Sequence, residues 1–219
     1  MTFEKFLLII FLIGIYFSEI QGRGLMLDPI SRSSAWRKGF SVEPNYNDHE
    51  LLCGGIDIQY GQNAGRCGEC GDDYAIPRPR PNENGGLYGT GVIVKRYKTN
   101  QVINVKLKLT KNHLGTFKFN LCPLNETFHL ETEQCFNQYP LKLVNQYNYD
   151  FPVPNLKTEF DITVRIPNIT CKQCVFRWTY NAENNFGRCY ENQNPTIQCG
   201  LQETIRNCAD IAIESDENS

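Results

Sequence analysis

Histidine is nearly absent: the 219 residues contain only His49, His113 and His129. A serine or cysteine hydrolase needs a base beside its nucleophile and a third group to orient that base. With three histidines and no Gly-x-Ser-x-Gly elbow, the chain carries no mark of such machinery. It has no Gly-x-x-x-x-Gly-Lys loop to cradle phosphate. Two glycosidase carboxylates could stand anywhere among the acidic residues, but no pattern singles out a pair. No repeat of 20–50 residues is visible, so a solenoid or propeller is not expected. An excess of one charge is missing too. From Arg23 onward 21 basic side chains face 22 acidic ones, which argues against nucleic acid or an anionic membrane as partner.

Long apolar runs are limited to one, Phe6–Phe17 (FLLIIFLIGIYF). Its twelve residues fall short of the ~20 that cross a bilayer core of ~30 Å. Behind Lys5 it reads as the apolar core of a secretory signal. Cleavage after Gly22, with Ser18 the alternative, makes residues 1–22 the signal and Arg23 the first mature residue. About 197 residues then remain, enough for one domain with its own core.

Cysteine is abundant by contrast. Cys53, Cys67, Cys70, Cys122, Cys135, Cys171, Cys174, Cys189, Cys199 and Cys208 all follow the signal. An even count in an exported chain predicts five disulfides. Cys122–Cys135 and Cys189–Cys199 suit local bridges, although spacing alone does not fix the connectivity. The two Cys-x-x-Cys pairs, at Cys67/Cys70 and Cys171/Cys174, have zinc-ligand spacing, but six further cysteines and an export signal favour disulfides. Asn125 and Asn168 sit in glycosylation sequons, whereas Asn194 is blocked by Pro195. The protein is expected to be secreted, extracellular and glycosylated.

Residues 23–87 are rich in Gly, Pro, Asn and Asp and show almost no periodicity, the composition of loops. So long a loop region in a compact domain is functional or stapled. From Gly91 short alternating runs follow: Val102–Leu109, Phe117–Leu121, Phe160–Ile166, Val175–Tyr180 and Cys208–Ile213. Period-two alternation with one wet face predicts antiparallel sheet. The fold class expected is all-β, an immunoglobulin/fibronectin-like antiparallel β-sandwich with a long disulfide-stapled loop region near the N-terminus. Any helix should be short and confined to that early region. Residues 23–213 form the single domain, and 214–219 an acidic tail.

Among the histidines, His113 stands between two alternating runs and so at an edge of the sandwich. A loop histidine alone is usually a plain surface residue. The segments RGLMLDPISRSSAWRKGF, NYNDHELLCGG, GRCGECGDD, PRPRPNENGGLYGTGVIVKRY, NHLGTFKFNLC, CKQCVFRWTY and CGLQETIRNCADIAI change that weighting. In this order they resemble the invertebrate-type lytic polysaccharide monooxygenases, also described as chitin-binding type-4 domains.

The resemblance implies a copper enzyme. The amine and imidazole of a first-position histidine, with a second histidine, form a three-nitrogen brace, and an aromatic residue fills an axial position. On this chain His113 matches the second histidine, while the other two positions fall on Arg23 and Ile205. A guanidinium has no free lone pair for a metal, so the copper site is expected to be degenerate, with no catalytic residue assigned. His49 and His129 match no brace position and are expected in solvent.

The resemblance also implies a flat face that docks on insoluble polysaccharide, chitin first and cellulose second, with the protein a monomer. Tyr46, Tyr60 and Tyr74 are candidate stacking residues, and each could equally be core. Trp36 and Trp178 read as structural. Two other readings stay open: an active copper monooxygenase with an altered brace, and an extracellular structural or signalling protein that binds no glycan.

Overall fold

The computed structural model describes residues 23–124, 130–144, 148–183, 186–187, 196–197 and 199–216. His129, Asn125 and Cys189 lie outside them. Two sheets face each other. One has the strand order β1 (Gly24–Asp28), β3 (Val102–Leu109), β7 (Glu159–Arg165), β5 (Lys142–Leu143). The other runs β2 (Lys95–Lys98), β11 (Thr204–Glu214), β8 (Cys171–Asn181), β4 (Thr116–Leu124), β6 (Asp150–Pro152). A short ribbon pairs β9 (Phe186–Gly187) with β10 (Thr196–Ile197). The all-β sandwich expected from the alternating runs is the fold observed.

The β3 strand shows how the sequence specifies its sheet. Ile103, Val105, Leu107 and Leu109 are buried, and the residues between them are exposed. A slip of one residue would turn all four to water, which fixes the register. Between the sheets, Phe117 of β4 meets Phe160 of β7 edge-on at 5.0 Å and Trp178 of β8 at 5.2 Å. Gly24 lies against the same indole, where a Cβ would come within 2.7 Å of Trp178 Cη2. The start of β1 therefore requires a residue without a side chain.

β8 and β11 are buried on both faces. Their outer face carries Arg177 and Asp210 under the early loops and an α-helix, Glu133–Gln138, whereas Asn207 points inward beside Trp178 and accepts from Met26 N of β1 at 3.1 Å. Arg32, in a 3-10 helix at Arg32–Lys38, grips Asp210 with Nε and Nη2, both at 2.7 Å. Its Nη1 donates to Glu131 Oε1 at 2.5 Å and to Asn82 O at 2.8 Å. Burial alone would lower the Arg32 pKa, but the two carboxylates outweigh it and hold the guanidinium charged. Arg177 pairs with Glu133 at 2.7 Å and stacks over Phe136 at 3.9 Å. Burial and the nearby Arg206 charge pull its pKa down to about 10.

Cys70–Cys208 and Cys122–Cys135 fasten this cover to the sheet, Cys53–Cys67 closes a loop within it, and Cys171–Cys174 lies within β8. Cys199 is also disulfide-bonded, and its predicted partner Cys189 is outside the described residues. Cys67 and Cys70 enter different bridges, so the first Cys-x-x-Cys pair is not a unit.

Three expectations need correction. The α-helix lies between β4 and β5, not in the early loops. It is fixed by Thr132 Oγ1, which accepts from Cys135 N at 3.1 Å, and by the Cys122–Cys135 bridge. β2 pairs with β11 in parallel, because the chain reaches that edge directly from the loops. Glu214 belongs to β11, where Arg96 and Lys98 pair with it, and not to a tail.

Because Trp178 is fully buried and joins the two sheets, Trp178→Ala should cost about 3–5 kcal/mol. Urea unfolding of the two proteins measures this, and a loss under ~1 kcal/mol would show that the indole does not hold the core.

Candidate functional site

One end of the sandwich gathers most of the residues singled out by the sequence. Arg23 leads into β1, and its carbonyl accepts from Thr110 N at 2.9 Å and Thr110 Oγ1 at 3.3 Å. On the other side Gly24 N donates to His49 O at 3.3 Å. Arg23 is thus tied both to the β3–β4 loop and to the segment around His49.

The β3–β4 loop is sharply shaped. Leu114 and Gly115 have φ of 55° and 98°. A Cβ on Gly115 would lie 2.0 Å from Asn181 O, so glycine is required there. Asn112 Oδ1 accepts from Leu114 N at 2.7 Å. His113, between them, is 2% exposed. Its amide donates to Tyr180 Oη at 2.9 Å and its carbonyl accepts from Glu183 N at 3.1 Å. Burial raises the Tyr180 pKa, keeping that hydroxyl neutral. His113 Nδ1 lies 3.1 Å from Glu203 Oε2. With a carboxylate accepting at Nδ1, the neutral ring carries its proton there and its lone pair on Nε2. That Nε2 is buried and has no hydrogen-bond partner.

The Arg23 side chain is already engaged. Nη2 pairs with Glu50 Oε1 at 2.8 Å, and Nη1 lies 3.4 Å from His49 Nε2. His49 is therefore half-buried against Arg23 and not in solvent as expected. Its Nδ1 is 3.6 Å from Asp48 Oδ1. Asp48 is buried and accepts from Arg37 Nε at 2.6 Å and Ser34 Oγ at 2.8 Å. Burial alone would raise the Asp48 pKa, but these hydrogen bonds outweigh it and hold the carboxyl below its ordinary value.

Arg37 in turn covers Trp36 at 4.3 Å, and Trp36 meets Tyr46 edge-on at 5.2 Å. Tyr46 is 74% exposed. Trp178 is core, but Trp36 is only half-buried. Tyr60 is half-buried and donates to Gln202 O at 2.9 Å. Tyr74 is half-buried between the guanidiniums of Arg66 and Arg80, at 4.4 and 4.7 Å. Of the three tyrosines, Tyr46 is the most exposed.

The residues do not fit a copper brace. His113 Nε2, buried and unpartnered, is a suitable donor. Arg23 offers a protonated guanidinium already held by Glu50 and His49. Ile205, buried in β11 opposite Tyr180, has no donor atom. One side-chain ligand remains where the resemblance calls for three positions. Cys70, Glu131 and Cys208 also lie close together, but the two sulfurs are bonded to each other and Glu131 serves Arg32.

Asp48 holds the segment that carries His49 and Glu50. A depressed folded pKa contributes stability that is present above the unfolded value, ~3.9, and is lost as pH falls through the folded one. Asp48→Asn should therefore be less stable than the parent at pH 7, with the gap closing below about pH 4. Thermal unfolding across pH 2.5–7 reads this, and a gap independent of pH would contradict it.

Three comparisons bear on this arrangement. Residues 24–211 match the sequence profile of the family described as lytic polysaccharide mono-oxygenase, cellulose-degrading. A lytic polysaccharide monooxygenase AA15 from Thermobia domestica, solved in the Cu(I) state, is 43% identical with a TM-score of 0.82, over 88% of this chain and 98% of that one. A chitin binding domain from Burkholderia pseudomallei shares the fold at 11% identity and a TM-score of 0.51, over 89% of this chain and 100% of that one. No curated protein matches the chain. The profile spans nearly the whole domain, and the chain belongs to the lytic polysaccharide monooxygenase family.

Proposed function

We propose that this protein is exported, is processed after Gly22, and binds insoluble polysaccharide, with chitin preferred over cellulose, without cleaving it oxidatively. The observation that carries the reading is Arg23. Copper chemistry in this family depends on nitrogen donors with free lone pairs, and the guanidinium has none to offer. It also sets a fixed positive charge at the first position, where a divalent cation would have to sit, and against the His49 ring at 3.4 Å. The terminal amine and His113 would give two nitrogens and no third.

Binding needs less than catalysis does. Flat glycan faces are held by exposed aromatic rings and by hydrogen bonds, and Tyr46 supplies a free ring braced from behind by Trp36 and Arg37. Arg23, Thr110 and Glu50 add polar groups at the same end. Asn168 is exposed in the turn after β7, at the opposite end of the sandwich, so a sugar there would leave this face open.

A second reading, an active monooxygenase with an altered site, is favoured by one observation: His113 keeps a buried, unpartnered Nε2. A single substitution separates the two. Arg23→His restores a first-position imidazole and should tighten copper binding of the processed protein by at least ~100-fold, ~2.7 kcal/mol, in calorimetry. Equal affinity in the two proteins would mean that Arg23 is not what disables the site. For the glycan, the processed protein is incubated with insoluble chitin and with cellulose and then sedimented. Depletion from the supernatant by chitin is the expected result; a protein left in solution by both would refute the binding reading.

A further inference from the structure

Leu156 is the most exposed large apolar side chain among the described residues, at 89%. A lone surface leucine carries little meaning, but this one is displayed by a built loop. The loop joins β6 to β7 and is fastened at every corner. Val153 N donates to Gly115 O at 2.8 Å, and Leu109 N to Thr158 O at 2.8 Å. Asn112 Nδ2 donates to both Pro154 O, at 2.8 Å, and Lys157 O, at 2.5 Å. Asn155 Oδ1 accepts from Leu156 N at 2.9 Å. Leu156 itself sits at φ 64°, a conformation that glycine or asparagine adopts far more readily than leucine. Lys157 turns back, its Nζ 5.4 Å from the Phe160 ring centre, so its charge lies over Phe160.

The loop is coupled to the site. Asn112 both closes it and sets Leu114, with His113 between. Arg23 hydrogen-bonds to Thr110, two residues earlier. On the far side of Arg23 lies the segment carrying His49 and Tyr46. The same end of the molecule therefore presents an aromatic ring on one side and an isobutyl group on the other.

We infer that Leu156 is a specificity residue that reads the acetamido groups of an N-acetylated polysaccharide. This rests on the glycan-binding reading above. An isobutyl group offers no hydrogen bond and gains only from apolar contact. Chitin carries an acetamido methyl on each sugar, whereas cellulose has a hydroxyl at that position. At that position Leu156 meets a methyl group on chitin and a hydroxyl on cellulose, so the contact favours chitin.

The test uses Leu156→Gly and Leu156→Asn, both of which suit a left-handed backbone and leave the loop intact. Unfolding temperatures of the three proteins confirm that the fold is unchanged, and either variant suffices if the other is unstable. Binding isotherms are measured on β-chitin and on microcrystalline cellulose. The expected result is a loss of about fivefold or more on chitin, with binding to cellulose unchanged. Parent-like chitin binding by both variants would overturn the role of Leu156 and leave the glycan reading standing. An equal loss on both polymers would also overturn it, since the contact would not discriminate. Failure of the parent protein to bind either polymer would remove the glycan reading and this inference with it.

Discussion

The buried contact between Arg32 and Asp210 is what the arrangement of this protein depends on. Two parallel hydrogen bonds of 2.7 Å tie the 3-10 helix after β1 to the centre of β11. The same guanidinium holds Glu131 and the carbonyl of Asn82, so one side chain fastens three loop segments to the sheet. Loss of one partner from a buried pair leaves an uncompensated charge and costs several kcal/mol. With the loops fixed, the chain around Asp48 and His49 is brought to Arg23, and the loop around His113 is closed against Tyr180. The Cys70–Cys208 bridge repeats the tie covalently.

Within that frame the functional end is tightly built, and on the reading proposed above it holds no copper. Gly24 still packs on Trp178, Gly115 still allows the sharp turn beyond His113, and Glu203 still orients the imidazole. Where it departs from the resemblance is the charge and donor character of two side chains, Arg23 and Ile205. Arg23 is accommodated: Glu50 neutralises it and His49 lies against it. On the proposed reading an ion pair stands at the position that the resemblance gives to a metal ligand.

Much of this was legible in the sequence. The alternation of VINVKLKL fixed β3 because one face of that strand is wet. In VFRWTY the same alternation places Phe176, Trp178 and Tyr180 on one face, but it does not show that Arg177 and Thr179 on the other are buried too. They are buried because loops and a helix without periodicity cover them. β1 escaped notice because five residues in a loop-rich stretch become a strand only through pairing with β3. His113 could be read from its flanking motif, but the proximity of His49 to Arg23 could not. It arises from a backbone hydrogen bond between segments 25 residues apart, which no local pattern records. Leu156 was equally silent, since its exposure and left-handed backbone follow from Asn112 on another loop.

The central claim is that Arg23 removes the three-nitrogen site, and electron paramagnetic resonance of the processed protein with one equivalent of Cu(II) tests it most directly. The N-terminus is first verified as Arg23 by mass spectrometry. A spectrum dominated by free or weakly held copper, without coupling to three nitrogens, is the predicted result. A one-to-one species with a three-nitrogen signature would contradict the account.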